Sequence, residues 1–224
     1  MTPTAPLSSS ALPTLSSSQV KRVDQLCAER FGIPTDWLME AAGWQVARRC
    51  TGRAVVVCGV GNNAGDGLAA ARHLQRWGRL ASVCCVDAGR LAGPAARELD
   101  AVRKLGIQVH ESLELDGAEC AVDAIFGTGL SRPPEGKFAS WIEAINASDR
   151  FVFAVDVPSG LDAESGVAYS PCVRADATIT LGLPKKGLTG RVILVDIGVP
   201  FEAYAAVGVE VPSDLFSRMD SVQL

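Results

Sequence analysis

The run Arg53-Ala54-Val55-Val56-Val57-Cys58-Gly59-Val60 constrains this chain more than any other stretch. After its first residue it is apolar or glycine throughout, and rich in valine. A strand with one face in water alternates polar and apolar residues, whereas one that does not alternate is covered on both faces. Sheets covered on both faces are built from parallel strands joined by helical crossovers. The residues that follow supply that alternation. The spacing predicts a helix from about Gly65 to Trp77, a strand over Leu80 to Val86, a helix over Gly93 to Leu105 and strands over Ile107 to His110 and Cys120 to Phe126. A helix over Phe138 to Ile145 follows, then strands over Phe151 to Val157, Ala177 to Leu181 and Val192 to Ile197. Upstream, Ser18 can cap a helix over Val20, Val23, Leu26 and Cys27. After the Phe31-Gly32-Ile33-Pro34 break, a second helix covers Trp37, Leu38, Ala41, Ala42 and Val46. Both read as packing elements ahead of the sheet. The expected fold class is α/β, a three-layer, doubly wound, mostly parallel sheet forming one domain over residues 19–224. Residues 209–224 have no clear assignment.

Composition narrows the function. The chain has 224 residues, 48% of them hydrophobic, enough for one sizeable core. Its 21 basic and 25 acidic residues are well mixed, and no basic stripe interleaved with aromatics suggests a nucleic-acid partner. No apolar run approaches the roughly 20 residues that span a bilayer. Seven cysteines, an odd number with no CxxC pair, indicate a reducing compartment, and the cytoplasm is the expected location. The first 18 residues are rich in Ser, Pro and Thr and carry no side-chain charge. They match neither a secretory nor a transit signal and are expected to form a flexible tail.

In such sheets ligands gather at the carboxyl ends of the strands, and three predicted strand ends carry glycine-rich or polar turns. The first is Gly59-Val60-Gly61-Asn62-Asn63-Ala64-Gly65-Asp66-Gly67. Its glycines permit a sharp turn and close approach to a ligand. A helix starting near Gly65 would aim free N–H groups and its positive dipole end at a phosphate. A plain tight turn explains the glycines too, but not the oxygens of Asn62, Asn63 and Asp66. The second turn is Gly127-Thr128-Gly129-Leu130-Ser131-Arg132-Pro133, in which Arg132 could hold a phosphate or lie in solvent. Just before it, Asp123 is isolated among apolar residues and needs a partner, for which a cation is one option. The third turn starts at Asp156, after Phe151-Val152-Phe153-Ala154-Val155, and continues through Ser159 and Gly160. Burial fits Asp156 for proton transfer, although it could instead cap the following turn.

A hydride-transferring dinucleotide fold is the nearest competitor. The spacing G-x-G-x-x-x-G is one residue longer than its fingerprint, although Asp87 stands where a ribose-binding acid is expected. Neither Tyr169 nor Tyr204 is followed four residues on by lysine, so a tyrosine–lysine reductase is disfavoured. His73 and His110, the two histidines, give no support for a Ser-His-Asp triad.

In this order, five segments resemble the NAD(P)H-hydrate epimerase family, also called the YjeF N-terminal domain. They are Leu38-Met39-Glu40-Ala41-Ala42-Gly43, CGVGNNAGDGLAAARHL from Cys58 to Leu74, VDAIFGTGLSRP from Val122 to Pro133, AVDVPSGLD from Ala154 to Asp162, and DIGVP from Asp196 to Pro200. The similarity runs from about Gln19 to Tyr204. It implies a Rossmann-like fold, a homodimer, and an isomerase that interconverts the R and S forms of NADH or NADPH hydrated at nicotinamide C6. It further implies substrate contacts from Asn62, Asn63, Ala64, Gly65, Asp66, Gly127, Thr128, Gly129, Leu130, Ser131, Arg132, Pro133 and Asp156. Because the hydrate is a carbinolamine that must lose and regain water, Asp156 is the candidate acid/base, with Asp66 as a second group. One potassium ion per subunit would be held by Asn63, Asp123 and Ser159. A separate NAD(P)H-hydrate dehydratase would be the functional partner. Ala64 departs from the family's usual glycine, which is tolerable if the backbone there is not left-handed. The connection between Leu183-Pro184-Lys185-Lys186-Gly187-Leu188 and the strand at Val192 is short. A catalytically silent binding or scaffold domain of the same fold is the alternative, and it would be expected to lose Asn62, Asn63, Asp66, Asp123 and Asp156.

Overall fold

The computed structural model describes residues 12–224. The valine run forms strand β1 (Ala54–Cys58), buried at every residue as its lack of alternation predicts. Around it lie β2 (Leu80–Cys85), β3 (Val109–His110), β4 (Cys120–Ala124), β5 (Phe151–Val155), β6 (Ala177–Leu181), β7 (Val192–Val195) and β8 (Ser221–Gln223). They form one eight-stranded sheet in the order β3-β2-β1-β4-β5-β6-β7-β8. All pairings are parallel except β7 with β8. The one-turn helix α6 (Phe201–Ala205) follows β7, and the short antiparallel edge β8 lies in the stretch 209–224 that had no assignment.

The helices are α1 (Ser17–Phe31), α2 (Thr35–Arg49), α3 (Asn62–Arg76), α4 (Gly93–Lys104) and α5 (Gly136–Asn146). Three apolar clusters hold the layers. In one, residues of α2, α3 and α4 (Val46, Leu68, Leu74, Leu99) pack with Val56, Val83 and Val122 of the sheet. On the other face Trp141, Ile142 and Ile145 of α5 cover Val55, Val57 and Ala121. The third joins α1 and α6 to the β7–β8 edge through Leu26, Leu194, Tyr204 and Val222. Facing side chains of the sheet alternate between the first two clusters, the period of two that a doubly covered strand requires.

Three expectations change. The cap of α1 is Ser16, not Ser18. Ser16 Oγ accepts the Gln19 N–H at 3.1 Å while Gln19 Oε1 accepts the Ser16 N–H at 2.9 Å, a reciprocal capping box. The flexible-tail expectation falls outside the described residues for 1–11, but residues 12–18 belong to the fold. Leu12 and Leu15 are buried, and Leu15 makes a parallel bridge to Lys185, its N–H donating to Pro184 C=O at 2.8 Å. Lastly, α3 starts at Asn62 rather than near Gly65. Gly61, extended at φ −109° and ψ −170°, is its N-cap.

The early start of α3 reassigns its glycines. A Cβ on Gly65 would lie 2.5 Å from Met39 Sδ and 3.0 Å from Ala95 Cα, and one on Gly67 2.6 Å from Ala124 Cβ. Gly59 is closed in the same way by Ile125 C=O at 2.0 Å, whereas a Cβ on Gly61 would meet nothing within 4 Å. Gly59 and Gly67 therefore let α3 and the strand ends approach one another, Gly65 lets α3 approach α2 and α4, and of these four glycines only Gly61 opens into free space. Ala64 sits within α3 and is fully buried, so its extra methyl is accommodated in a right-handed backbone.

Candidate active site

The chain winds outward from β1 to β2 and β3, then returns to β4 on the other side of β1. At this reversal the loops after β1 and β4 diverge and leave a crevice at the carboxyl ends of the strands. A cavity of about 490 Å³ opens there. Its wall combines the start of α3 (Gly61, Asn62, Asn63, Asp66), the loop after β4 (Phe126 to Arg132), Asp156 after β5, and Lys185. The first two helices also contribute, through Lys21, Asp24, Thr35, Leu38 and Met39. They are thus more than packing elements.

Helix α3 has no side-chain cap bond at its N-terminus, so its first N–H groups face the cavity with the positive end of the helix dipole. Asn62 is exposed there and Asn63 is buried. Of the other expected contacts, Gly127, Thr128, Gly129, Leu130, Ser131 and Arg132 line the cavity, while Ala64 and Gly65 lie inside the α3 packing and Pro133 lies beyond the wall.

Asp156 is the one residue other than glycine with positive φ among the described residues, at 68°. It centres a three-residue γ-turn in which the Val157 N–H reaches Val155 C=O at 2.8 Å, a strained conformation that its surroundings must enforce. The enforcing contacts come from β6 and the loop after it. Asp156 N–H donates to Ile179 C=O at 2.8 Å. Asp156 Oδ1 accepts the Leu181 N–H at 3.2 Å and pairs with the ammonium of Lys185. Oδ2 is left to the cavity. The side chain does not cap the following turn.

Three carboxyls share this wall. Asp66 is held well above the usual carboxylate range, first by burial and then by the charges of Asp156 and Asp24, with Lys185 opposing. Asp24 is pushed up to about 6 by the same burial and by Asp156, against Lys185. Its side chain is exposed where the cavity opens. Like charges that cannot all ionise together make a site able to hold a proton near neutral pH.

Asp123 lies beneath this wall. It is fully buried on β4, and its oxygens accept from Ser159 Oγ at 2.6 Å, Ser159 N–H at 2.8 Å and Ile125 N–H at 3.2 Å. Burial pushes it up to about 6 despite these bonds. Ser159 Oγ in turn accepts the Phe126 N–H at 2.8 Å, so one hydroxyl ties the second turn to the third. Asn63 Nδ2 is buried without a partner among the described residues, and a Cβ on Gly127 would lie 3.4 Å from Asn63 Cγ. Turning that amide end for end would put an oxygen in the orphaned position. Among the described residues no group of three or more His, Cys, Asp or Glu could hold a metal. One carboxylate with amide and hydroxyl oxygens instead suits a hard, weakly charged cation. The Asn63, Asp123 and Ser159 set fits potassium on this ground.

Sequence reasoning missed Asp24 and left Lys185 undecided. Asp24 follows Val23 and precedes Leu26 and Cys27, which are buried, so it borders the apolar stripe of α1 rather than the solvent side. Lys185 carried no such signal, because nothing in LPKKGL separates a buried lysine from an exposed one.

The fold and the cavity define an α/β protein with a polar crevice at the switch point of its sheet. The chain belongs to the family described as YjeF-related protein N-terminus, whose profile matches residues 35–187. It is 44% identical over 186 residues to the bifunctional NAD(P)H-hydrate repair enzyme Nnr of Thermofilum pendens, covering 76% of this chain but only 36% of that protein. It is 34% identical over 211 residues to the NAD(P)H-hydrate epimerase of Rhodopirellula baltica, covering 85% of this chain and 86% of that one. The chain thus spans about a third of the bifunctional relative and most of the single-function one. The crystal structure of yeast ynu0 superposes with a TM-score of 0.79 over 95% of this chain and 100% of that chain, at 24% identity, and shares the fold. No helix among the described residues is long and apolar enough to cross a membrane.

Proposed function

We propose that the chain is an NAD(P)H-hydrate epimerase, interconverting the R and S forms of NADH or NADPH hydrated at nicotinamide C6. The observation that carries this reading is the placing of two carboxyls, Asp66 and Asp156, in one cavity at the open N-terminus of α3. The names of the relatives supply the substrate class, and the chain matches the single-function epimerase over most of its length.

The chemistry asks for one proton donor and one acceptor. The C6 hydroxyl of the hydrate shares its carbon with the ring nitrogen. Asp66, which burial keeps protonated above the usual range, gives its proton to that hydroxyl. The C6–O bond breaks with its electron pair leaving on water, while the nitrogen lone pair forms C6=N⁺. Water then adds to either face, the C=N pair returns to nitrogen, and the surplus proton passes to the free Oδ2 of Asp156. Solvent exchange resets the two carboxyls. The N–H groups of α3 and the loop over Gly127 to Arg132 suit the phosphates and fix the substrate. Asn63, Asp123 and Ser159 would hold one potassium ion per subunit, which when bound supplies positive charge beneath the loops that face the substrate.

The seven free thiols support a reducing compartment such as the cytoplasm. A homodimer is expected by similarity to the family. The product would pass to a separate dehydratase that removes the water of the S form. The test is to mix purified chain with one resolved epimer of hydrated NADH and follow both by chromatography. Equilibration far faster than the spontaneous rate is expected, and its absence with folded protein would instead support a binding-only domain.

A further inference from the structure

We propose that Lys185 is a positioning residue for this epimerisation, holding Asp156 as the proton acceptor. The inference rests on the function proposed above. Lys185 is only 2% exposed, yet it carries a charge. Its ammonium spends all three N–H bonds inside the protein, on Asp156 Oδ1, on Thr180 Oγ1 at 3.2 Å and on Leu181 C=O at 2.8 Å. With the Leu181 N–H also on Oδ1, both protein bonds to the Asp156 carboxyl end on one oxygen. The other oxygen is thereby turned to the cavity.

Stability alone does not account for this arrangement. Burying two charges costs as much as their attraction returns, and an apolar pair of similar volume would pack β6 against the third turn equally well. What the ion pair supplies is direction. It fixes a carboxyl on a residue whose backbone is itself strained at φ 68°, where an unanchored side chain would have alternatives. Lys185 also lines the same cavity as Asp24 and Asp66, and its charge opposes the upward push on both. The main chain carrying it is braced from outside the sheet. Leu15 bridges to Lys185, with the Leu15 N–H on Pro184 C=O at 2.8 Å and the Lys186 N–H on Leu15 C=O at 3.3 Å. Lys186 reaches Glu164 at 2.7 Å, and Glu164 accepts the Ser17 N–H at 3.0 Å, which ties the start of α1 to the same loop.

The test compares the full wild-type chain with Lys185→Met, Lys185→Gln and Lys185→Arg on hydrated NADH, and adds the Lys185→Met/Asp156→Asn pair in urea unfolding. A misdirected catalytic group costs about 100-fold. Lys185→Met is therefore expected to lose about that factor in kcat with KM within twofold, and Lys185→Arg to keep at least a tenth of wild-type kcat. If Lys185→Met does not fold, Lys185→Gln, which keeps a donor without the charge, carries the kinetic comparison. In unfolding, the double variant is expected to be more stable than Lys185→Met, because no unpaired carboxylate remains. A kcat within threefold of wild type in the neutral variants overturns the proposal, as does a loss confined to KM or equal losses in the Met and Arg variants. A wild-type chain that folds but does not accelerate epimerisation overturns the functional reading and the role of Lys185 with it.

Discussion

Ser159→Ala tests the joint between the second and third turns, and its cost can be worked from the contacts. The hydroxyl gives a 2.6 Å hydrogen bond to Asp123 Oδ1 and takes the Phe126 N–H at 2.8 Å, all within a fully buried position. A hydrogen bond to an ionised carboxylate contributes about 1.5–3 kcal/mol, and a buried N–H left without an acceptor costs about 1–3 kcal/mol. The sum is about 2.5–6 kcal/mol when Asp123 is charged. The Asp123 carboxyl stands at about 6 in the fold against 3.8 ordinarily, so the folded state binds its proton more tightly than the unfolded one. Stability from this group is therefore highest at low pH and falls as pH rises from about 4 to about 6, by about 3 kcal/mol at most. The Ser159 hydroxyl is one of the groups resisting that rise, so its loss steepens the fall. At pH 5 the carboxyl is mostly protonated and the lost bond is a neutral one of about 1 kcal/mol. Urea unfolding with tetramethylammonium in place of potassium should show a penalty about 1–2 kcal/mol larger at pH 8 than at pH 5. A penalty below about 1 kcal/mol at pH 8, or one independent of pH, would refute the assignment of Ser159 as the donor that stabilises ionised Asp123.

Asp156→Asn should lower stability in urea unfolding, because the buried Lys185 ammonium loses its carboxylate, and in the folded fraction lower kcat by at least about 100-fold, the lower range for loss of a general acid or base; retention of turnover in the chromatographic assay would remove Asp156 from the mechanism. Replacing potassium by tetramethylammonium should raise KM for hydrated NADH in wild type but not in Asp123→Ala, and equal KM values in the two buffers for wild type would argue against the Asn63, Asp123 and Ser159 set. Leu15→Ala should cost about 2–4 kcal/mol in urea unfolding, because Leu15 is buried and braces the Lys185 loop. Gly67→Ala gains about 1 kcal/mol of helix propensity, but its Cβ would stand 2.6 Å from that of Ala124. Overpacking of about 1–3 kcal/mol should win, and a stabilised variant would show that α3 can move off the sheet.

The sheet was legible because buried parallel strands leave continuous apolar runs, as in Val55 to Cys58 and Val152 to Val155. The three turns were legible because their asparagines and aspartates have no reason to stand at the ends of such runs unless they meet something polar. The start of α3 was hidden because Asn62, Asn63, Gly65, Asp66 and Gly67 are all weak helix formers, and the helix there is held by α2 and the sheet rather than by propensity. The strained turn at Asp156 left no trace, since positive φ at an aspartate is imposed by distant partners, Leu181 and Lys185. Residues 12–16 resembled the polar tail before them, and only the loop at Lys185, nearly the whole chain away, gives Leu15 a place to pack. Lys185 itself was unreadable for the same reason.

That bridge between Leu15 and Lys185 sets an order of events on the ribosome. The sheet from β1 to β5 can assemble once about two thirds of the chain has emerged, but the segment leading into the first helix has no bridge partner until the loop after β6 appears. Long-range closures of this kind come late, because the loop entropy must be overcome before the contact forms. A nascent chain stalled before Lys185 would carry the helix terminus and the loops that suit phosphate, yet leave the strained turn at Asp156 without its anchor. On the proposed function, the parts that suit phosphate would be in place during synthesis before the parts that suit proton transfer.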